Sequence, residues 1–429
     1  MTYAVLNFVY RLLWWLAAPI AVLRLLWRSR REPGYRAHIA ERFGWGLPPV
    51  APGTKLIWVH AVSVGETRAA QPLIDALLAA RPDVQILLTH MTPSGRATGE
   101  QVFGARVQRC YLPYDLPHAV RRFLKHWQPA LGVLIDTEVW PTLIAECQRA
   151  DVPLVLANAR MSERSARRAA RFGGATRTVF GALPKVLAQS PGDAERLLKL
   201  GAREVMVLGN LKFDMALPAG AQALSQTWRA AIGTRPVWAA ANTREGEEAE
   251  VLQAYRRVLE QPATAATLLI LVPRHPQRFD EVAALLQQAG LRYERRSLWD
   301  QRSLPQDTQV LLGDSMGELA SYYGAADLAF IGGSLLPLGG HNLIEACAVG
   351  VPVVIGPHTF NFTQASADAI NAGAAVRVAD QAALAQAVIA LLSDHARRVA
   401  MGEAAAAFAA RHRGATARIV KVLLALVGD

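Results

Sequence analysis

The segment His60-Ala61-Val62-Ser63-Val64-Gly65-Glu66 ends a short apolar run and sets a carboxylate three residues after a serine. Two chemistries fit that spacing. Ser63-x-x-Glu66 has the form of a capping box, in which the serine caps a helix and the glutamate reaches back to its backbone. Alternatively Glu66, at the mouth of a cleft beside a glycine that lets substrate approach, accepts a hydroxyl proton as a general base. A second acidic segment, Asp136-Thr137-Glu138-Val139-Trp140-Pro141, also closes an apolar run. Two carboxylates there are costly to bury unless paired or solvated; the other reading is a surface cap with Pro141 in the first helical turn. No Asp-x-Asp occurs in the chain, and no metal is invoked. Asn210-Leu211-Lys212-Phe213-Asp214 holds one of only six lysines against forty arginines. Lys212 either stabilises negative charge on a leaving group or pairs with Asp214 at the surface.

Three loops in the second half complete the set. Pro273-Arg274-His275-Pro276 fixes a turn with two prolines and offers Arg274 and His275 to a ligand or to solvent. Ser315-Met316-Gly317-Glu318 is again shaped like a capping box. Gly332-Gly333-Ser334 leads through Gly339-Gly340-His341 to Asn342-Leu343-Ile344-Glu345. Its glycine pairs free backbone N–H groups, and a helix starting at Asn342 favours a phosphate at its N-terminus. Glu345 then reaches a ribose diol, or forms a cap with Asn342. The remaining histidines, among them His38, His90, His118, His126 and His358, lack metal-type spacing, and neither a Gly-x-Ser-x-Gly elbow nor a Walker loop is present.

These loops need strand ends to hold them. Apolar runs at 56–62, 84–89, 106–111, 131–136, 153–158, 185–189 and 204–208 alternate with helical patterns such as 66–80 and 162–180. A break rich in glycine and proline follows at 209–236. The alternation resumes at 237–241, 267–272, 309–312, 327–331, 351–355 and 374–377, and 381–427 reads as helical with breaks near Ser393 and Gly414. Such alternation predicts βαβ units and two mainly parallel sheets, with ligands at the carboxyl ends of strands. The expected division is an anchor at 1–31, an α/β domain at 32–208, a linker at 209–236, a second α/β domain at 237–410 and a C-terminal helix at 411–429.

The chain has 429 residues, 52% of them hydrophobic and 19% charged, which excludes a largely disordered polypeptide. The net charge of +11 is uneven: residues 1–50 hold seven arginines against two glutamates, and 160–177 six against one. A neutral body with basic faces does not suit a nucleic-acid binder. Cys110, Cys147 and Cys347 are widely spaced, so neither a disulfide framework nor a cysteine zinc site is expected. Residues 3–27 are strongly apolar but interrupted by Arg11 and Arg24; the basic residues Arg28, Arg30 and Arg31 follow, without a cleavage site. That order predicts a retained anchor with the body on the cytoplasmic side, either spanning or lying in the interface. The alternative is a buried helix.

Taken in order, His60…Ser63-Val64-Gly65-Glu66, Thr137-Glu138-x-Trp140-Pro141, Asn210-x-Lys212-Phe213-Asp214, Pro273-Arg274-His275, Met316-Gly317-Glu318 and Gly339-Gly340-His341-Asn342-x-x-Glu345 resemble the motifs of the bacterial Kdo transferases, which move 3-deoxy-D-manno-oct-2-ulosonic acid (Kdo) from CMP-Kdo to a lipid A precursor. The resemblance runs from the N-terminal segment past Gly356-Pro357-His358-Thr359-Phe360-Asn361-Phe362. It implies a GT-B fold of two facing Rossmann-like domains, the first for the acceptor and the second for CMP-Kdo. It implies Glu66 as general base, with Glu138 and Lys212 supporting the transition state. It places CMP on Pro273, Arg274, Met316, Gly317, Glu318, Asn342, Leu343, Ile344 and Glu345, His275 being adjacent. It further implies direct inverting displacement without a metal or cofactor, a phosphorylated lipid acceptor (lipid IVA), and the cytoplasmic face of the bacterial inner membrane. The alternatives are another GT-B enzyme, such as a nucleotide-sugar epimerase or other lipid-linked glycosyltransferase, or a catalytically silent membrane-bound nucleotide scaffold.

Overall fold

The computed structural model describes residues 3–30, 32–50, 53–215 and 217–427, with side chains from residue 8 onward. Arg31 and residues 1 and 2 of the expected anchor lie outside the described residues, as does the side chain of Tyr3. The chain forms two compact units, one made of residues up to Met215 together with those from Arg413 on, the other of residues up to His412 between them.

The first unit is built on seven parallel strands: β1 (Lys55–His60), β2 (Val84–His90), β3 (Gln108–Tyr111), β4 (Leu131–Ile135), β5 (Leu154–Ala159), β6 (Lys185–Ala188) and β7 (Val205–Val207), in the order β3-β2-β1-β4-β5-β6-β7. The inner strands are covered on both faces and are largely apolar, whereas the edge strands carry Gln108 and Arg109 in β3 and leave Met206 and Val207 exposed in β7. Trp58, Leu87, Leu134 and Leu156 enter one core, while Ile57, Val59, Leu88, Val133 and Ile135 enter the other. The strand order reverses between β1 and β4, with His60 level with Leu134. The loops leaving these two strands therefore diverge over one crevice, the usual ligand position of an open α/β sheet.

The second unit repeats the plan with β8 (Val237–Thr243), β9 (Leu268–Pro273), β10 (Tyr293–Arg295), β11 (Val310–Leu312), β12 (Leu328–Ile331), β13 (Val353–Ile355) and β14 (Ala375–Arg377), in the order β10-β11-β9-β8-β12-β13-β14. Its reversal lies between β8 and β12. Strand β10 has no counterpart among the sequence-based expectations. It is a three-residue edge strand, Tyr-Glu-Arg, too short and too charged to show alternation.

The stretch expected as a linker, 209–236, is no free connection. The turn Leu211–Asp214 belongs to the first unit, and the helix Ala221–Ile232 is built into the second, burying Trp228 and Ile232. The C-terminal helix also splits from its neighbours. The helices Gln381–Ser393 and His395–His412 stay in the second unit, while Ala415–Val427 returns to the first. There it adds Ile419, Val420 and Leu423 to the core, and the Asp214 carboxylate accepts from the backbone N–H groups of Gly414 (2.6 Å) and Thr416 (2.5 Å) at its start.

The N-terminal helix Tyr3–Arg28 is neither a buried core helix nor a detached one. Ala18 and Leu25 are buried against the first unit, with Trp14 and Ala21 packed beside them, and the Arg28 guanidinium lies 4.2 Å from the centre of the Tyr35 ring. The opposite face leaves Phe8, Leu12, Leu13, Leu16, Ile20, Leu23 and Trp27 exposed. Its segment Phe8–Arg28 is long and apolar enough to cross a membrane.

Candidate active site

Glu66 sits in the first turn of the helix Val64–Ala80, directly after β1. The capping box expected of Ser63 and Glu66 does not close. Ser63 occupies the cap position, but its hydroxyl makes no bond to the helix backbone and instead donates to Glu66 Oε1 at 3.3 Å. Glu66 Oε2 accepts from the backbone N–H of Val62 at 2.5 Å, one residue earlier than a box requires. Burial, and then the neighbouring charges of Asp136 and Glu138, push the Glu66 carboxyl up to about 7, against the pull of the Val62 and Ser63 hydrogen bonds. A carboxylate that exchanges its proton near neutrality is suited to base catalysis.

The floor below it is rigid and uncharged. His60, fully buried at the end of β1, faces Thr89 Oγ1 with Nδ1 at 2.9 Å, and that hydroxyl also accepts from Trp58 Nε1 at 2.8 Å. Desolvation, reinforced by nearby His90, pushes His60 down to about 3, so the ring is neutral at physiological pH. Its other nitrogen lies 4.0 Å from Glu138 Oε2. Glu138 is held by the Trp140 indole, whose Nε1 donates to the same oxygen at 2.8 Å. Burial raises the Glu138 carboxyl and nearby Asp136 adds to the rise, while the indole bond opposes it.

A polar chain joins this corner to Lys212. Asp136 Oδ1 accepts from Asn158 Nδ2 at 2.5 Å and from Gln189 Nε2 at 3.3 Å. Asn158 Oδ1 takes the N–H of Leu211 at 3.0 Å, and Asn210 Nδ2 donates to Gln189 Oε1 at 3.0 Å. Asn210 in turn accepts the N–H of Lys212 at 3.0 Å. The turn carrying Lys212 is thus tied by side chains to the acidic loop. Asp214 is engaged with the C-terminal helix, as described above. Asn158 and Gln189, at the ends of β5 and β6, went unnoticed in the sequence, where each looks like an ordinary loop-edge amide.

In the second unit the glycine loop after β12 holds a surprise. The N–H groups of Gly333, Ser334 and Leu335 donate to the Glu247 carboxylate at 2.6, 3.0 and 2.9 Å, and Arg244 N–H adds a longer contact at 3.3 Å. The first glycine pair therefore offers no vacant anion cradle: a buried internal carboxylate fills it. The glycines are needed for approach. A Cβ on Gly332 would stand 2.5 Å from the Asn242 carbonyl oxygen, and one on Gly333 (φ +69°) would stand 2.8 Å from the His341 ring. Nor does a helix begin at Asn342. The helical residues are Ile344–Ala348, preceded by a turn in which Asn342 Oδ1 accepts from Ile344 N–H at 3.1 Å and Nδ2 donates to Glu345 at 3.1 Å.

The cationic groups collect beside this loop. Arg274, exposed after β9, has its backbone N–H tied to the Thr243 carbonyl at 3.0 Å. Burial, together with the charges of Arg274, Arg244 and His275, lowers His341 to about 4; burial and the same kind of charge, from Arg244, Arg274 and Arg278, lower His275. Arg244, on the loop after β8, was not among the sequence-derived candidates, because a lone arginine after Asn-Thr has no motif. The Ser315–Glu318 pair is not a box either: Ser315 Oγ donates to the Glu318 carboxylate, which also accepts from Arg296 Nη2 at 2.7 Å. Gly317 (φ +83°) and the exposed Met316 form the free rim of that loop.

The chain resembles known proteins over nearly all of its length. Residues 37–215 match the family model of 3-deoxy-D-manno-octulosonic-acid transferase (kdotransferase), and 250–408 match that of glycosyl transferases group 1. A 3-deoxy-D-manno-octulosonic acid transferase of Bordetella pertussis is 48% identical over 414 residues, covering 95% of this chain and 96% of the relative. One from Haemophilus influenzae is 37% identical, covering 97% of this chain and 98% of its own length. Among solved structures, the UDP-GlcNAc 2-epimerase of Neisseria meningitidis bound to UDP-GlcNAc superposes with a TM-score of 0.60 at 13% identity, covering 87% of this chain and 100% of the epimerase; that likeness concerns the fold alone.

Proposed function

The chain belongs to the Kdo transferase family of glycosyltransferases, and from that premise we propose that it moves Kdo from CMP-Kdo to a phosphorylated lipid A precursor, lipid IVA, with inversion and with Glu66 as general base. The observation that supports Glu66 as the base is its position in the first helical turn after β1, held by the Val62 N–H, with its carboxyl raised to about 7 by burial and by its acidic neighbours. In the step, an acceptor hydroxyl oxygen attacks the ketosidic carbon of Kdo. Its proton passes to Glu66, and the bond to the CMP phosphate breaks with the electron pair leaving on phosphate. Displacement from one side needs a single base. Glu138 and Lys212, tied to the same corner of the first unit, support the developing charge.

The second unit supplies the nucleotide contacts: Pro273 and Arg274, Met316 to Glu318, and Asn342 to Glu345. The leaving group is a phosphate monoester. Arg274 and Arg244 would compensate its charge electrostatically; on this reading transfer proceeds without a metal and is expected to be unchanged by a chelator. The apolar outer face of the N-terminal helix, together with the exposed helix Glu163–Ala170 and its arginines, suits a membrane with anionic headgroups. The packing of the inner face of the N-terminal helix along the first unit supports an interfacial position over a spanning one. The location that follows is the cytoplasmic side of the bacterial inner membrane. Incubation with CMP-Kdo and a tetraacyl lipid A precursor, read by mass spectrometry, is expected to show a Kdo mass added to the lipid. Hydrolysis of CMP-Kdo without lipid modification, or no turnover at all, refutes the assignment.

A further inference from the structure

The N-terminal helix does more than offer an apolar face. Two of its residues, Tyr10 and Trp14, are one helical turn apart and point to the same side. Tyr10 Oη donates to Asp115 Oδ2 at 2.8 Å. Asp115, itself buried, accepts the N–H groups of Thr142 at 2.9 Å and Leu143 at 2.7 Å. These are the first donors of the helix Pro141–Arg149, which begins immediately after Trp140. Trp14 stacks on Tyr114, with ring centres 5.6 Å apart at 29°, and meets the Trp140 indole at 6.2 Å and 41°. Trp140 is the residue whose N–H holds Glu138.

We propose that the N-terminal helix is a positioning element of the active site: Trp14, braced by Tyr10 through Asp115, fixes the Trp140 indole and through it the Glu138 carboxylate. The inference rests on the reading of Glu138 as a transition-state group. The Trp140 ring is only half-buried, and Trp14 covers one side of it. Without that wall the indole gains rotamer freedom, and its N–H no longer stays on Glu138 Oε2. His60 does not replace it, because its near nitrogen is 4.0 Å away. Lipid contact on the outer face of the helix and carboxylate placement behind its inner face are thereby carried by one element.

The test compares full-length Trp14→Ala, Trp14→Phe, Trp140→Phe and Glu138→Gln with the double variant Trp14→Ala/Glu138→Gln. The readouts are melting temperature, kcat and the KM for CMP-Kdo. A misplacement of about 1 Å costs up to about 10²-fold in rate, so Trp14→Ala is expected to lower kcat by about 10-fold or more, with donor KM unchanged. Trp14→Phe restores most of the loss. Trp140→Phe, which keeps a ring in the stack but removes the N–H, reproduces it. In the Glu138→Gln background Trp14→Ala adds nothing further. Wild-type kcat in Trp14→Ala, or a loss fully additive with Glu138→Gln, overturns the proposal. If Trp14→Ala does not fold, Tyr10→Phe, which removes the bond to Asp115 but keeps the ring, and its Glu138→Gln double decide on the same criteria: a lowered kcat that is lost in the Glu138→Gln background supports the proposal, and wild-type kcat overturns it. Wild-type kcat in Glu138→Gln alone instead refutes the role of Glu138 itself, and the proposal with it.

Discussion

Replacing Glu66 by Gln tests the base assignment against two measurements that move in opposite directions. Gln keeps an oxygen to accept the Val62 N–H, so the loop retains its backbone tie. It cannot take a proton, and base catalysis contributes about 10²–10⁴-fold in rate; kcat is therefore expected to fall at least about 10²-fold. The stability effect follows from the raised carboxyl. In the unfolded chain Glu66 ionises at its ordinary 4.5, whereas in the native protein it holds its proton up to about 7. Below about pH 4.5 both states are protonated and ionisation does not distinguish them. Between the two values the unfolded state alone loses its proton, so native stability declines as pH rises, and the decline is complete above about pH 7. The full difference amounts to roughly 3 kcal/mol. Glu66→Gln removes that penalty. It is expected to match the wild type near pH 4.5 and to exceed it by roughly 1–3 kcal/mol at pH 8. Urea denaturation at both pH values and a transfer assay at saturating donor on the same preparation are the measurements. In the wild type, log kcat/KM is expected to rise with pH up to about 7 and then level off, the limb reporting Glu66. A variant that keeps more than about a third of the turnover, or an acid limb that survives the substitution, refutes the assignment and directs the search for the base to Glu138.

Arg274→Ala and Arg244→Ala are each expected to weaken CMP binding about 10-fold or more, since charge-assisted contacts are worth about 1.5–3 kcal/mol, while Glu66→Ala leaves it unchanged by calorimetry; equal loss in all three refutes the division of labour between the units. Glu247→Ala strands three buried N–H groups and is expected to cost roughly 3 kcal/mol or more, read as a lowered melting temperature. An unaltered melt shows that the glycine loop does not need its internal carboxylate. Asp214→Ala removes the acceptor of the Gly414 and Thr416 N–H groups, with an expected cost of about 1–2 kcal/mol. Hydrogen exchange should then rise across Ala415–Val427, and exchange unchanged there refutes the tether.

The fold class and most of the chemistry-bearing loops are legible along the chain. Strands enclosed by helices are largely apolar, so thirteen of the fourteen were legible as short runs; β10 escaped because it is three half-buried residues, of which Tyr293 packs on the core while Arg295 is paired with Asp280 and Asp314. Glu66, Glu138 and Arg274 were legible because each follows such a run. Which loops meet depends on strand pairing and packing. Periodicity along the chain carries no record of lateral strand order, and it is the pairing of β1 with β4 that brings Glu66 within the field of Glu138 and Asp136. The box motifs show the same limit. Ser-x-x-Glu at 63–66 and 315–318 reads as self-contained, yet each serine bonds the carboxylate rather than the helix backbone, and the neighbours Val62 and Arg296 complete the arrangement. Glu247 carries no motif; only the close approach of the β12 loop, which Gly332 permits, makes its carboxylate the filling of the glycine cradle. Hydrogen-bond partners distant in sequence are chosen by packing, and packing is a property of the folded chain.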